Sequence, residues 1–324
     1  MTTVASSPKI SRNTLAHLLM FAMVMLWGTM FVLLKEAFAH IEPQWFNALR
    51  MTIAFLCLAI VYRAQWRRLT RAAWVAGAAA GATMAVGFFF QAQGLLYTTA
   101  TNSALLTAMV VVMVPFLVSV PGVRPPGAAL PPATAWFGAV LAFVGVALLT
   151  TPAHTPWMHL LKNLNRGDLL SLLCALGFAL QIIALDRGAK RVGFEQLTLL
   201  QVAFAMVFLT VGALVTEPPR HDAIAHLLAP GSPLINPLVV FAVVVAGLFA
   251  TALAFGVQTW AQQVIPATNI AVIVTLEPVF AWITAFVVLH ERLHLRGALG
   301  AALVLTGILV TELLPRAMRR KQRV

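Results

Sequence analysis

The sequence predicts an all-α integral membrane protein: ten transmembrane helices arranged as two inverted five-helix repeats. Three observations carry that expectation. Apolar residues make up 60 % of the 324 residues and charged residues only 10 %, against about 45–50 % and about 25 % in soluble domains. Ten apolar runs of spanning length follow one another. Glycine and proline patterns in the fourth and fifth runs return half a chain later, in the ninth and tenth. With a mean hydropathy of +0.89, a water-soluble globule and a disordered chain are excluded. The formal net charge of +12 would point to nucleic acid in a soluble protein. In a bilayer it reports instead which loops face inward, and no nucleic-acid partner is expected.

The runs fall at 14–34, 43–62, 74–96, 102–120, 134–151, 168–185, 195–215, 236–256, 267–289 and 295–314. Lipid offers the backbone no partners, so each run is expected to be a helix, which bonds internally. The first follows Lys9 and Arg12, and Ala37-Phe38-Ala39 imitates a cleavage site. It exceeds the roughly 7–15 apolar residues of a signal core, so it reads as a retained span. The second opens at Pro43 and carries Arg50, the one intramembrane cation. Arg50 lies about 10 Å deep at about 1.5 Å per residue. The third ends with Gln93 and Tyr97, four apart on one helical face. The fourth opens at Asn102 and carries Pro115.

The fifth run holds Gly138 and Gly145, and residues 152–167 link it to the sixth. Gln181 and Gln201 lie in the sixth and seventh. Residues 216–235, rich in proline, read as an irregular external loop. The eighth is followed by Gln258 and Gln262, again four apart. The ninth carries Glu277 and Pro278, and the tenth Gly300 and Gly307. A basic tail, 315–324, follows. Cys57 and Cys174 sit inside apolar runs and read as packing residues rather than a disulfide framework.

With the N-terminus inside, fifteen Lys and Arg fall in inner segments and six in outer ones. That bias places both termini in the cytoplasm. Gly138 and Gly145 recur as Gly300 and Gly307, 162 residues on, and Pro115 recurs as Pro278, 163 residues on. Five spans per copy is an odd number, so the second copy enters the membrane upside down. Inverted repeats are a recurring plan of secondary transporters, with the site at the repeat interface.

Glu277 is the most informative residue. An ionised group near the middle of a span costs at least about 2.5 kcal/mol, and Pro278 removes a backbone donor beside it, so the helix is expected to break or kink. Such a carboxyl can carry a proton, meet a cationic substrate, or fix the kink. Arg50 can clamp an anion, pair with an acid as a gate, or orient the helix at the outer interface. Gln93, Tyr97, Asn102, Gln258 and Gln262 can line a path or bond between helices. Trp27 can wall a site for amines or aromatic molecules, or pack beside Gly28.

These residues resemble the EamA-type transporters of the drug/metabolite transporter superfamily. The first half matches at Trp27-Gly28, Lys35, Pro43 and Arg50, at Gly94-Leu95-Leu96-Tyr97-Thr98-Thr99-Ala100, and at Val111-Val112-Met113-Val114-Pro115. The second matches at Gln258, Ala261-Gln262, Leu276-Glu277-Pro278-Val279-Phe280-Ala281, Glu291-Arg292-Leu293, Gly297 and Gly300. The resemblance implies two five-helix domains, 14–151 and 168–314, in the bacterial inner membrane. It implies export or uptake of amino acids, amines, other metabolites or drugs, with export the expected direction. Alternating access through a central cavity lined by helices 1–4 and 6–9 follows, coupled to protons through Glu277 or uncoupled. Helices 5 and 10 are then packing elements or face a second copy in a homodimer.

One motif points elsewhere. His290-Glu291-Arg292-Leu293-His294 fits H-E-x-x-H, whose chemistry needs two histidines on one helical face, a glutamate base and a third ligand. Here it falls between the ninth and tenth runs, in an expected loop. An intramembrane zinc metalloprotease is the alternative reading, and it rests on this motif alone. The sequence has no phosphate-cradling loop, so ATP-driven transport and a bound cofactor are not expected.

Overall fold

A computed structural model describes residues 11–98, 103, 106–150, 165–217, 236–289 and 295–321. Among these, every regular element is helical. In chain order they are α1 (Arg12–Ala37), α2 (Pro43–Val61), a short 3-10 turn (Arg63–Arg68), α3 (Arg71–Leu95), α4 (Val110–Ser119) and α5 (Ala133–Thr150). Then come α6 (Arg166–Ala189), α7 (Phe194–Thr216), α8 (Pro237–Ala261), α9 (Ala267–Val274), α10 (Glu277–Leu289) and α11 (Leu295–Lys321). Seven stretches are long and apolar enough to cross a membrane: α1, α2, α3, α6, α7, α8 and Ala267–Thr284. Three shorter apolar stretches lie in α4, α5 and α11.

Capping explains where several helices begin. The Ser11 side chain accepts from the Thr14 N–H and Thr70 accepts from Ala73, so α1 and α3 start a little before their apolar runs. Asn165 and Asp168 form a reciprocal capping box, which starts α6 at Arg166, inside the expected linker. Pro43 sits in the first turn of α2, where its fixed φ suits the helix. Glu42 offers that helix no side-chain cap. The Glu217 carboxylate, at the end of α7, does so, accepting from the Gln44 N–H at 3.0 Å and the Trp45 N–H at 3.2 Å. Burial pushes the Glu217 carboxyl up, and these two donors oppose the shift.

The two prolines act differently: the chain breaks at Pro278 as expected, and it does not break at Pro115. Between α9 and α10 the chain turns at Thr275 and Leu276, just ahead of Glu277. Pro278 lacks the N–H that the Val274 carbonyl would need. Thr275 and Leu276 instead close back to Val272 and Ile273, at 3.2 and 3.1 Å. Pro278 is then the second residue of a new helix, where no donor is required. Pro115 lies inside α4, which continues through it. The interruption in that region is the turn at Ala108 and Met109. Pro315 likewise does not end α11, which runs on to Lys321. In α8, residues Ala246–Leu253 are wound as a π-helix.

Packing pairs distant parts of the chain. α5 lies against α11, α3 against α6 and α7, α2 against α7 and α8, and α1 against α8 and α10. The α5–α11 contact is backbone on backbone and antiparallel. A Cβ on Gly307 would stand 2.6 Å from the Gly138 oxygen, one on Gly138 2.6 Å from the Gly307 oxygen, and one on Gly145 2.6 Å from the Gly300 oxygen. The glycines seven apart are thus spent inside the chain, Gly138 facing Gly307 and Gly145 facing Gly300. The Gly94–Thr98 stretch docks on the start of α6: Thr98 donates to Asp168 at 2.5 Å, and a Cβ on Gly167 would meet the Gly94 oxygen at 2.7 Å.

Candidate functional site

A cavity of about 740 Å³, counting its open mouth, lies among these helices. α1 brings Trp27, α2 Arg50, α3 Phe88 and Gln91, α6 Phe178 and Gln181, α8 Phe255 and Gln258, and α10 Glu277. Thr107 and Val274 line it from just before the two turns where the chain breaks. Its wall is mostly apolar, so few polar atoms decide what it can hold.

Four rings form one connected surface. Trp27 and Phe255 have centroids 5.2 Å apart, Phe255 and Phe88 5.8 Å, and Phe88 and Phe178 5.0 Å. The Trp27 indole donates to the Ala250 oxygen at 2.8 Å. Ala250 is in the π-helical segment, whose widened turns shift carbonyls out of the ordinary ladder. Trp27 is therefore held at both its face and its nitrogen.

Arg50 is 4 % exposed. Its guanidinium carbon stands 3.8 Å from the centre of the Phe88 ring. Stacking occupies the flat face and leaves the edges. Nε and Nη2 are buried and have no hydrogen-bond partner. Glu277 lines the same cavity, half-buried, and makes no ion pair with Arg50 among the described residues. Gly28 lets α1 approach it closely: a Cβ there would fall 2.5 Å from the Glu277 backbone oxygen.

The glutamines behave differently. Gln181 Nε2 donates to Gln201 Oε1 at 3.2 Å, and Gln201 Nε2 to the Thr259 hydroxyl at 2.8 Å. Gln258 Nε2 bridges Gln181 Oε1 and Gln262 Oε1, both at 3.3 Å. Gln262 Nε2 donates to the Ile182 oxygen at 2.8 Å. The chain of donors and acceptors ties α6, α7 and α8 together. One atom is left over: Gln258 Oε1 is buried without a partner.

Residues 14–151 and again residues 165–313 match the EamA-like transporter family. The chain belongs to the EamA-like transporter family. With its apolar helices it is a multi-pass membrane protein. Two relatives from Archaeoglobus fulgidus, each named only as an uncharacterized transporter, are similar to it. One is 27 % identical over 89 % of this chain and 83 % of its own length, the other 26 % identical over 92 % and 98 %. A solved crystal structure, titled only as that of a protein, shares the fold. Its TM-score is 0.68, covering 93 % of this chain and 98 % of its own at 21 % identity.

Within this EamA-like chain, Trp27, Arg50, Gln258 and Glu277 come together on one cavity. Gln262 is buried one layer behind, inside the glutamine network. Gln93 is half-buried away from the lining, and Tyr97 is exposed under the Arg166 guanidinium, 4.9 Å from its ring centre. Asn102 lies outside the described residues, as does His290-Glu291-x-x-His294. No cluster of three His, Cys, Asp or Glu side chains occurs among the described residues. The relatives are named transporters, so the protease reading finds no support. Of the helices expected to contribute, α7 supplies none of the described lining residues, and its Gln201 is buried behind Gln181. Sequence reasoning missed Phe88, Phe178, Phe255, Gln91 and Thr107, whose types are common in any apolar helix.

Proposed function

We propose that this chain is a secondary transporter of small metabolites, working by alternating access between two inverted five-helix repeats. In this reading the seven long helices and the three shorter apolar ones make ten spans, with α9 and α10 as two halves of the ninth. The packing pattern supports it, because contacts come in matched sets. α1 lies on α8 and α10 as α6 lies on α3 and α4, and α2 lies on α8 as α7 lies on α3. Each copy also opens with an arginine over an aromatic ring, Arg12 over Trp260 at 5.8 Å and Arg166 over Tyr97 at 4.9 Å. The charge bias favours an inner-membrane protein with both termini inside, and the family resemblance favours export.

The observation that carries the reading is one cavity, lined from both halves, holding a buried Arg50 and a Glu277 that do not pair. Buried charges without partners are costly, and in membrane spans they mark substrate or proton pathways. Two solution experiments test it. In a background without Cys57 and Cys174, a single cysteine at Ala250 should react with an impermeant thiol reagent from either side in turn, and counterflow in vesicles should saturate. Simultaneous reach from both sides with non-saturating flux would mean a channel.

A further inference from the structure

We infer that the cavity binds a small organic monocarboxylate with a flat apolar body and a hydrogen-bond donor at its far end. This names a substrate class for the transport reading and rests on the same cavity. Three features of the lining carry it. The first is the pair of unpartnered atoms on Arg50, Nε and Nη2. Their N–H bonds run side by side along one edge of the guanidinium, the edge that takes both oxygens of a carboxylate. The opposite demand on Arg50 is already met, since its face is stacked on Phe88 at 3.8 Å. Arg50 lines the cavity, and this edge is the part of it still without a partner.

The charge count selects the anion. Among the described lining residues, Arg50 is the one cation and Glu277 the one acid. With Glu277 carrying a proton, a dianionic phosphate would bring one more negative charge than Arg50 can balance, and burying that excess is costly. A carboxylate brings one charge and matches the fork. The second feature is the cluster of Trp27, Phe255, Phe88 and Phe178, tilted or edge to face with one another, which offers ring faces and edges to an apolar or aromatic body.

The third is Gln258 Oε1, 2 % exposed as a residue and without a donor. Its orientation is fixed by the network. Turning the amide over would face its oxygen toward Gln181 Oε1 and Gln262 Oε1, two acceptors already satisfied by its nitrogen. The remaining oxygen asks for an O–H or N–H from whatever fills the cavity.

The test is isothermal titration of the full-length protein in detergent with 4-hydroxyphenylacetate, phenylacetate and tyramine. 4-Hydroxyphenylacetate should bind saturably. Phenylacetate, lacking the donor, should bind about tenfold more weakly, and tyramine, lacking the carboxylate, should not compete. Arg50→Lys, a point charge without the fork, should weaken 4-hydroxyphenylacetate about tenfold, and Arg50→Gln should abolish it without lowering the thermal midpoint. No saturable binding by the wild type, equal binding of tyramine, or unchanged affinity in Arg50→Gln overturns the inference. Vesicle flux separates the two claims. Carboxylate binding with no flux of any solute would end the transport reading and leave this site standing. Flux of another solute that 4-hydroxyphenylacetate neither inhibits nor accompanies would end this inference and leave transport standing.

Discussion

Two groups of buried polar side chains share one cavity, and they are built on opposite terms. Gln181, Gln201, Gln258, Thr259 and Gln262 answer one another almost atom for atom. Arg50, apart from its contact with the Phe88 ring, and Glu277 have no hydrogen-bond or ion-pair partner among the described residues. The first arrangement welds α6, α7 and α8, because a polar group in an apolar surround is stable only when bonded. The second holds a cation and a carboxyl apart in a space that a solute can enter. The difference teaches that burial alone does not mark a site. What marks it is burial with the bonding left undone.

The sharpest way to break the comparison is Gln201→Leu. It strips the acceptor from Gln181 and a donor from Thr259, and it should cost about 2 kcal/mol of stability, read as a lower unfolding midpoint in detergent. A neutral outcome would mean the network is not structural. Arg50→Gln should do the reverse. Its midpoint should hold or rise, since an unpaired buried charge is removed. Its flux should fall about tenfold or more, as expected for lost charge-assisted bonds. Loss of folding together with flux would move Arg50 into the structural group.

Glu277→Gln keeps size and hydrogen bonding. It should alter stability by under about 1 kcal/mol while removing any proton dependence of transport. Proton-driven flux that survives the change would exclude Glu277 as the coupling group. The smallest effect calibrates the others. Glu217 is an acid that does have partners, at the start of α2. Glu217→Ala should cost about 1 kcal/mol, as for other lost caps. Glu217→Gln, which keeps an acceptor and drops a charge that burial disfavours, should cost less, by the same midpoint measurement.

Much of this was legible before any coordinates. Composition alone excludes a soluble protein. A lone arginine and a lone glutamate inside apolar runs announce themselves, and both line the cavity. The glutamines did not sort themselves. Spacing of four puts Gln258 and Gln262 on one face, but nothing local says whether that face meets a cavity or another helix. Gln258 does both and Gln262 only the second. The ring surface was invisible because Phe88, Phe178 and Phe255 are ordinary residues for a span, brought together only by contacts between α3, α6 and α8. The glycines at 138, 145, 300 and 307 declared a close approach without naming the partner. Partner choice is a long-range fact, and here the partner is the other half of the same chain.

That glycine seam has a mechanical consequence. Two backbone contacts, seven residues apart on each helix, lie about 10 Å from one another along the axis. Contacts this short have no side chain to flex, so they resist being prised open. Under the alternating access proposed above, points that stay shut would be the fulcrum. α4, α9 and α10 pack on the seam's helices, so under the proposed alternating access they would travel least and α2 would swing on the longer arm. Glu277 opens α10 and Arg50 rides on α2. The stroke of such a lever would be a change in the distance between a nearly stationary acid and a moving cation.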